Sequence, residues 1–83
     1  MKVRIRYFAS VREALSSSGE TVDTAAGTLA ALRDELIARG GAYASALARG
    51  KAVRMALDQT MSDEAAALND DCEVAFFPPV TGG

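Results

Sequence analysis

Groups able to do chemistry are scarce in this chain of 83 residues. It has no histidine, and Cys72 is its single cysteine. A Ser-His or Cys-His nucleophile pair, zinc-finger spacing and a disulfide framework are therefore excluded, and no metal site is expected. Asp70, Asp71 and Glu73 form a short acidic run that reads as turn and strand edge rather than as a ligand set. Cys72 reads as an inert thiol on a strand. What remains is the closing stretch FFPPVTGG, Phe76 to Gly83. Glycine loses more backbone freedom on ordering than any other residue, so Gly82 and Gly83 add little to a fold. Without side chains they would instead let a bare backbone enter a channel that rejects wider residues. The distinctive chemical group is then expected to be the α-carboxylate of Gly83.

Composition bounds the rest. With 49% hydrophobic and 24% charged residues the chain has an ordinary globular balance, and its length suits one small domain. The nine basic residues are dispersed and the formal charge is -2, so no nucleic-acid partner is expected. No apolar stretch approaches the roughly 20 residues of a membrane span, and the start MKVRIRYFAS alternates charge with apolar residues instead of forming a leader core. A cytoplasmic protein with no membrane partner is expected.

The elements that must present the tail follow from periodicity. In KVRIRYF, Val3, Ile5 and Tyr7 share one face and Lys2, Arg4 and Arg6 the other, the period-two mark of a half-buried strand, with Phe8 landing on the basic face. A helical turn follows through Val11, Ala14 and Leu15. SSSGE at 16 to 20 then turns into a second strand at Thr21 to Asp23, giving a hairpin with a helical insertion. Leu29, Leu32 and Leu36 recur at helical spacing, with Thr28 as N-cap, Glu35 paired to Arg39, and Gly40 and Gly41 ending the helix. Tyr43 and Leu47 suggest one more helical turn. Residues 52 to 58 alternate as a strand, and DQT forms a hairpin turn into a brief strand at Met61. The run from Ser62 to Leu68 has no assigned structure. CEVAFF at 72 to 77 is the last strand, ended by Pro78 and Pro79, which supply no ladder donor.

Strong first and last strands around one principal helix predict an α+β fold, a β-grasp of the ubiquitin type, with a mixed sheet wrapped over that helix. The expected core is Val3, Ile5, Tyr7, Leu29, Leu32, Leu36, Val53, Met55, Leu57, Leu68, Val74 and Phe76. Residues 1–77 would form the domain and 78–83 an extended tail reaching roughly 20 Å at most, its root stiffened by the prolines.

EVAFFPPVTGG at 73 to 83, ALDQT at 56 to 60 and KVRIRYFASVRE at 2 to 13 resemble the small subunit of molybdopterin synthase, a family of β-grasp sulfur carriers. The order of strands and helices agrees along nearly the whole chain. Asp71 stands where the family usually has glycine, and Cys72 where it often has a polar residue. The resemblance implies that a partner enzyme uses ATP to convert the Gly83 carboxylate to an acyl-adenylate. Sulfur would then replace the transient AMP to give a thiocarboxylate. It also implies insertion of Pro78, Pro79, Val80, Thr81, Gly82 and Gly83 into a large subunit, in an assembly of two small and two large subunits. There the sulfur would pass to a cyclic pyranopterin precursor in molybdenum cofactor biosynthesis. The chain would be a non-catalytic subunit with no tightly bound cofactor, served by an adenylating enzyme and a sulfur donor.

Docking needs a surface as well as a tail. Strand alternation puts Phe8 and Phe77 on the face away from the core, and the first and last strands of a β-grasp are neighbours. Met61 matches a hydrophobic interface position of the family. Phe8, Met61 and Phe77 are thus the expected partner surface, rimmed by Arg4 and Arg6. A sulfur carrier for another pathway, such as thiamin thiazole synthesis, or a ubiquitin-like modifier that joins Gly83 to lysines, would share this fold and tail. The residues Pro78 to Thr81 favour the molybdopterin reading.

Overall fold

Alternation at the start of the chain becomes strand β1, Lys2–Tyr7, with Val3, Ile5 and Tyr7 buried and Lys2, Arg4 and Arg6 exposed. The structure, a computed structural model, describes residues 1–79. Helix α1, Ala9–Leu15, follows directly and turns Val11 into the core. It closes at Ser16, whose positive φ of 51° reverses the chain. Strand β2, Gly19–Asp23, then pairs antiparallel with β1. The expected hairpin with a helical insertion is present, but β2 starts two residues before Thr21. Gly19 makes the early start possible: it pairs with Arg6, and a Cβ there would lie 2.5 Å from the carbonyl oxygen of Ile5.

Helix α2, Leu29–Ile37, begins at Thr28, whose Oγ1 accepts from the backbone N–H of Ala31 at 3.2 Å, as its sequence position predicts. The helix ends before the glycine pair. Gly40, at φ 76°, instead opens a short helix α3, Gly41–Ala46. The expected Glu35–Arg39 pairing is therefore corrected: Arg39 lies past the end of α2, where helical i,i+4 geometry no longer holds. Arg39 bonds to Glu20, and Glu35 accepts from Thr24 Oγ1 at 2.9 Å.

Strands β3, Arg54–Leu57, and β4, Thr60–Ser62, form a hairpin around Asp58 and Gln59, both at positive φ. That backbone is the twist-matched two-residue turn, here made without glycine. The stretch that sequence left unassigned runs along the start of α2. The carbonyls of Ala66 and Glu64 accept from the N–H groups of Leu29 and Ala30, and Leu68 N–H donates to Gly27. These carbonyls occupy helix N-terminal donors that have no partner within the helix. Asp71, at φ 63°, then takes the left-handed turn into β5, Cys72–Phe77.

The sheet order is β2-β1-β5-β3-β4, with β5 parallel to β1 and antiparallel to β3. Ten of the twelve expected core residues are buried, whereas Val53 and Leu57 are half-buried at its margin. Val53 immediately precedes β3 and Leu57 is its last residue, and both pack against the core. The core also takes in Val11, Val22, Leu47 and Cys72, and two polar side chains, Thr24 and Arg33. Arg33 is thus a charged side chain set inside the core, at 4% exposure.

Candidate functional site

Register defines the outer face of the sheet. Met61 on β4 pairs with Ala56 on β3, Ala56 with Ala75 on β5, and Ala75 with Arg6 on β1. The two alanines make a low strip between the longer Met61 and Arg6. Beside it, Phe77 pairs with Arg54, and Phe8 follows Tyr7, the partner of Phe76. The N–H of Phe8 donates to the Phe76 carbonyl at 3.1 Å, carrying the β1–β5 pairing one step further. Met61 is 59% exposed and Phe8 40%, while Phe77 is half-buried. The Arg6 guanidinium sits 5.5 Å above the Phe8 ring, a cation on an aromatic face. Arg4 is tied internally instead, to Asp71 Oδ1 at 3.3 Å and Glu73 Oε1 at 3.7 Å. Of the two arginines expected at the rim, Arg6 lies against the aromatic patch and Arg4 serves the turn into β5.

The tail leaves from the end of β5 nearest Phe8. Pro78 and Pro79 are half-buried, and Pro78 lines a cleft of about 270 Å³ with Val11 and Ala14 of α1, Ala46 of α3, Lys51 and Val53. Val80, Thr81, Gly82 and Gly83, named from sequence as inserting and reacting residues, lie outside the described residues. Cys72 opens β5 at the opposite end from the tail and is buried on the core side, in keeping with an inert thiol.

Two polar clusters hold this end of the molecule, and neither is visible as a motif. Glu20 accepts from Tyr7 Oη at 2.9 Å and Tyr43 Oη at 2.8 Å on Oε2, and from Arg39 Nη1 at 2.8 Å on Oε1. Burial works to raise the Glu20 carboxyl, but the hydrogen bonds from Arg39, Tyr43 and Tyr7 outweigh it and hold the group below its usual range. Burial and the bond to Glu20 push the Tyr7 phenol far upward, so it stays a donor. Tyr7 in turn stacks on Phe76, with ring centres 6.3 Å apart, immediately before the tail. In the second cluster, buried Arg33 donates to the carbonyls of Leu47 at 2.8 Å, Ala48 at 2.7 Å and Lys51 at 3.3 Å. Glu64 lies between Arg33 and Arg49, and Arg49 also bonds to Asp34. The one available signal was a charge at position 33, four residues after Leu29 on the leucine stripe.

The five-stranded mixed sheet packed on helix α2, with an apolar patch on its outer face, defines a ubiquitin-like β-grasp domain. The ThiS family model matches residues 5–83, and the chain belongs to that family. It is 40% identical over 81 residues to the molybdopterin synthase sulfur carrier subunit of Escherichia coli K12, covering 98% of this chain and 99% of that protein. Among solved structures it resembles SAMP1 from Haloferax volcanii, with a TM-score of 0.79, 22% identity and full coverage of both chains. It also resembles a chain from the complex of subunits 1 and 2 of the molybdopterin-converting factor of Helicobacter pylori, with a TM-score of 0.70, 24% identity and full coverage of both. At those identities the two structures speak for the fold.

Proposed function

We propose that this chain is the sulfur carrier subunit of a molybdopterin synthase, and that its working group is the Gly83 carboxylate. The observation that carries this reading is the 40% identity, over 98% of the chain, to a curated sulfur carrier of that enzyme. A carboxylate is a poor electrophile. In the proposed route its oxygen attacks the α-phosphorus of ATP on an adenylating partner, pyrophosphate leaves, and the mixed anhydride with AMP forms. A sulfur nucleophile then adds to the Gly83 carbonyl carbon and expels AMP, leaving a thiocarboxylate. Inserted into the large subunit, this group transfers its sulfur to the pyranopterin precursor, and two rounds build a dithiolene.

The chain's own residues position that carbon. The Glu20 cluster and the Tyr7–Phe76 stack fix the end of β5, the prolines restrict the tail root, and Phe8, Met61 and Phe77 form the docking face. The large subunit supplies acid-base and anion-binding groups, in an assembly of two small and two large subunits. The Helicobacter pylori complex, which pairs subunits 1 and 2 of a converting factor, supports a partner of this kind.

The test is reconstitution. The chain is incubated with adenylating enzyme, ATP and a sulfur source, its intact mass is followed, and large subunit and pterin precursor are then added. Exchange of one oxygen for sulfur at Gly83, reversed as pterin dithiolene appears, is expected. A chain that gains sulfur but never passes it to the pterin would be a carrier for another pathway.

A further inference from the structure

We propose that Met61 is a reversible oxidation site, through which a hydroperoxide releases this chain from the large subunit. The inference rests on the docking face proposed above and names a control acting on that face. Thioethers and thiols are the side chains that a peroxide oxidises, and access decides which sulfur reacts.

Placement separates the four sulfurs of the sequence, Met1, Met55, Met61 and Cys72. Cys72 is 3% exposed and Met55 5%, and both belong to the core. Met1 is more open, but it precedes β1, which runs parallel to β5, so it lies at the end of the sheet away from Phe77. Met61 alone combines access with position. It is 59% exposed on the edge strand β4, and it lines a cleft of about 660 Å³ with Arg54 and Ser62. Its cross-strand neighbour is Ala56, with Ala75 beyond, so a low strip of methyl groups lies beside the thioether where a ring could have covered it. Met55 and Met61 pack in one hairpin, which turns the first sulfur into the core and leaves the second on the outer face.

In the step, a lone pair on Met61 Sγ attacks one oxygen of the hydroperoxide, an S–O bond forms and the O–O bond breaks. The sulfur is oxidised to the sulfoxide and the peroxide is reduced, leaving as water or, from an organic hydroperoxide, as an alcohol. A flexible apolar side chain thereby becomes a polar one. In the free chain the new oxygen is hydrated, so the fold is retained. Docking strips that water away, and the methyl groups beside it donate nothing in exchange, so binding weakens. Thiol-dependent sulfoxide reductases undo the step: two thiols become a disulfide, and the oxygen leaves as water. The terminal carboxylate takes no part, so the carrier is withdrawn from its partner and returned unspent.

The test treats the full chain, ending in a plain carboxylate, with hydrogen peroxide, removes the peroxide, and reads peptide masses and the affinity for the large subunit by titration calorimetry. One added oxygen at Met61, ahead of Met55, is expected, with affinity lower by about tenfold or more and an unchanged melting temperature. Methionine sulfoxide reductases of both epimer specificities, with dithiothreitol, should restore the starting affinity. Met61→Leu, compared with its own untreated form, should show no loss. Oxidation of Met55 ahead of Met61, an oxidised chain that binds as before, or an equal loss in Met61→Leu would overturn the switch while leaving docking standing. An untreated chain that does not bind the large subunit would overturn the docking face, and the switch with it.

Discussion

At Gly19 the β1–β2 pairing leaves no volume for a side chain, because a Cβ would sit 2.5 Å from a backbone oxygen that cannot swing away. Gly19→Ala is expected to lower unfolding free energy by about 1–3 kcal/mol, as overpacking does, read by urea denaturation. Arg33 makes the complementary point for a charge. Its cost of burial is offset by three backbone carbonyls that have it as a donor. Arg33→Leu keeps the apolar stem but leaves those acceptors without it, and a loss of about 1–3 kcal/mol for each acceptor that stays dry is expected in thermal unfolding. Neither residue was legible beforehand. A glycine in SSSGE reads as a turn, and an arginine beside leucines reads as surface, because the oxygens that decide both lie elsewhere in the chain.

Elements that depend on local chemistry were legible. The alternation of β1 and β5, the Thr28 cap and the Asp58–Gln59 turn all stand where residue type and spacing put them. Elements that depend on partners were not. Residues 64 to 68 have no periodicity of their own, and their course is set by the orphan N–H groups at the start of α2. The Glu20 cluster likewise ties β1 and β2 to the α2–α3 corner through residues 7, 20, 39 and 43, separations that no motif spans. Its pH signature has a definite sign. The folded carboxyl is held below its ordinary value of 4.5, so the stability it contributes is fully present above that pH and is lost as pH falls through the lower folded value. Urea midpoints measured from pH 6 downward should fall below pH 4.5, and Glu20→Gln, less stable at pH 6, should show a shallower fall.

For the molecule as a whole, the proposed function has the described residues supply position and the tail supply chemistry. The outer-face side chains Phe8 and Met61 are exposed, so changing them should leave the fold alone. Phe8→Ser and Met61→Glu are each expected to weaken binding to the large subunit by about tenfold or more by titration calorimetry, with the melting temperature unchanged. Strand alternation made the outward side of Phe8 legible from sequence, and the tail motif is what makes Gly83 the proposed reacting residue. The cleft beside Pro78 was not legible, because it joins α1, α3 and the residues before β3. The most direct measurement compares the full chain with a version lacking only Gly83 in a complete pterin-forming reaction, scoring dithiolene product. A folded but wholly inactive truncation is the expected result. Product formation at the full chain's rate would contradict the assignment of sulfur transfer to the terminal carbonyl.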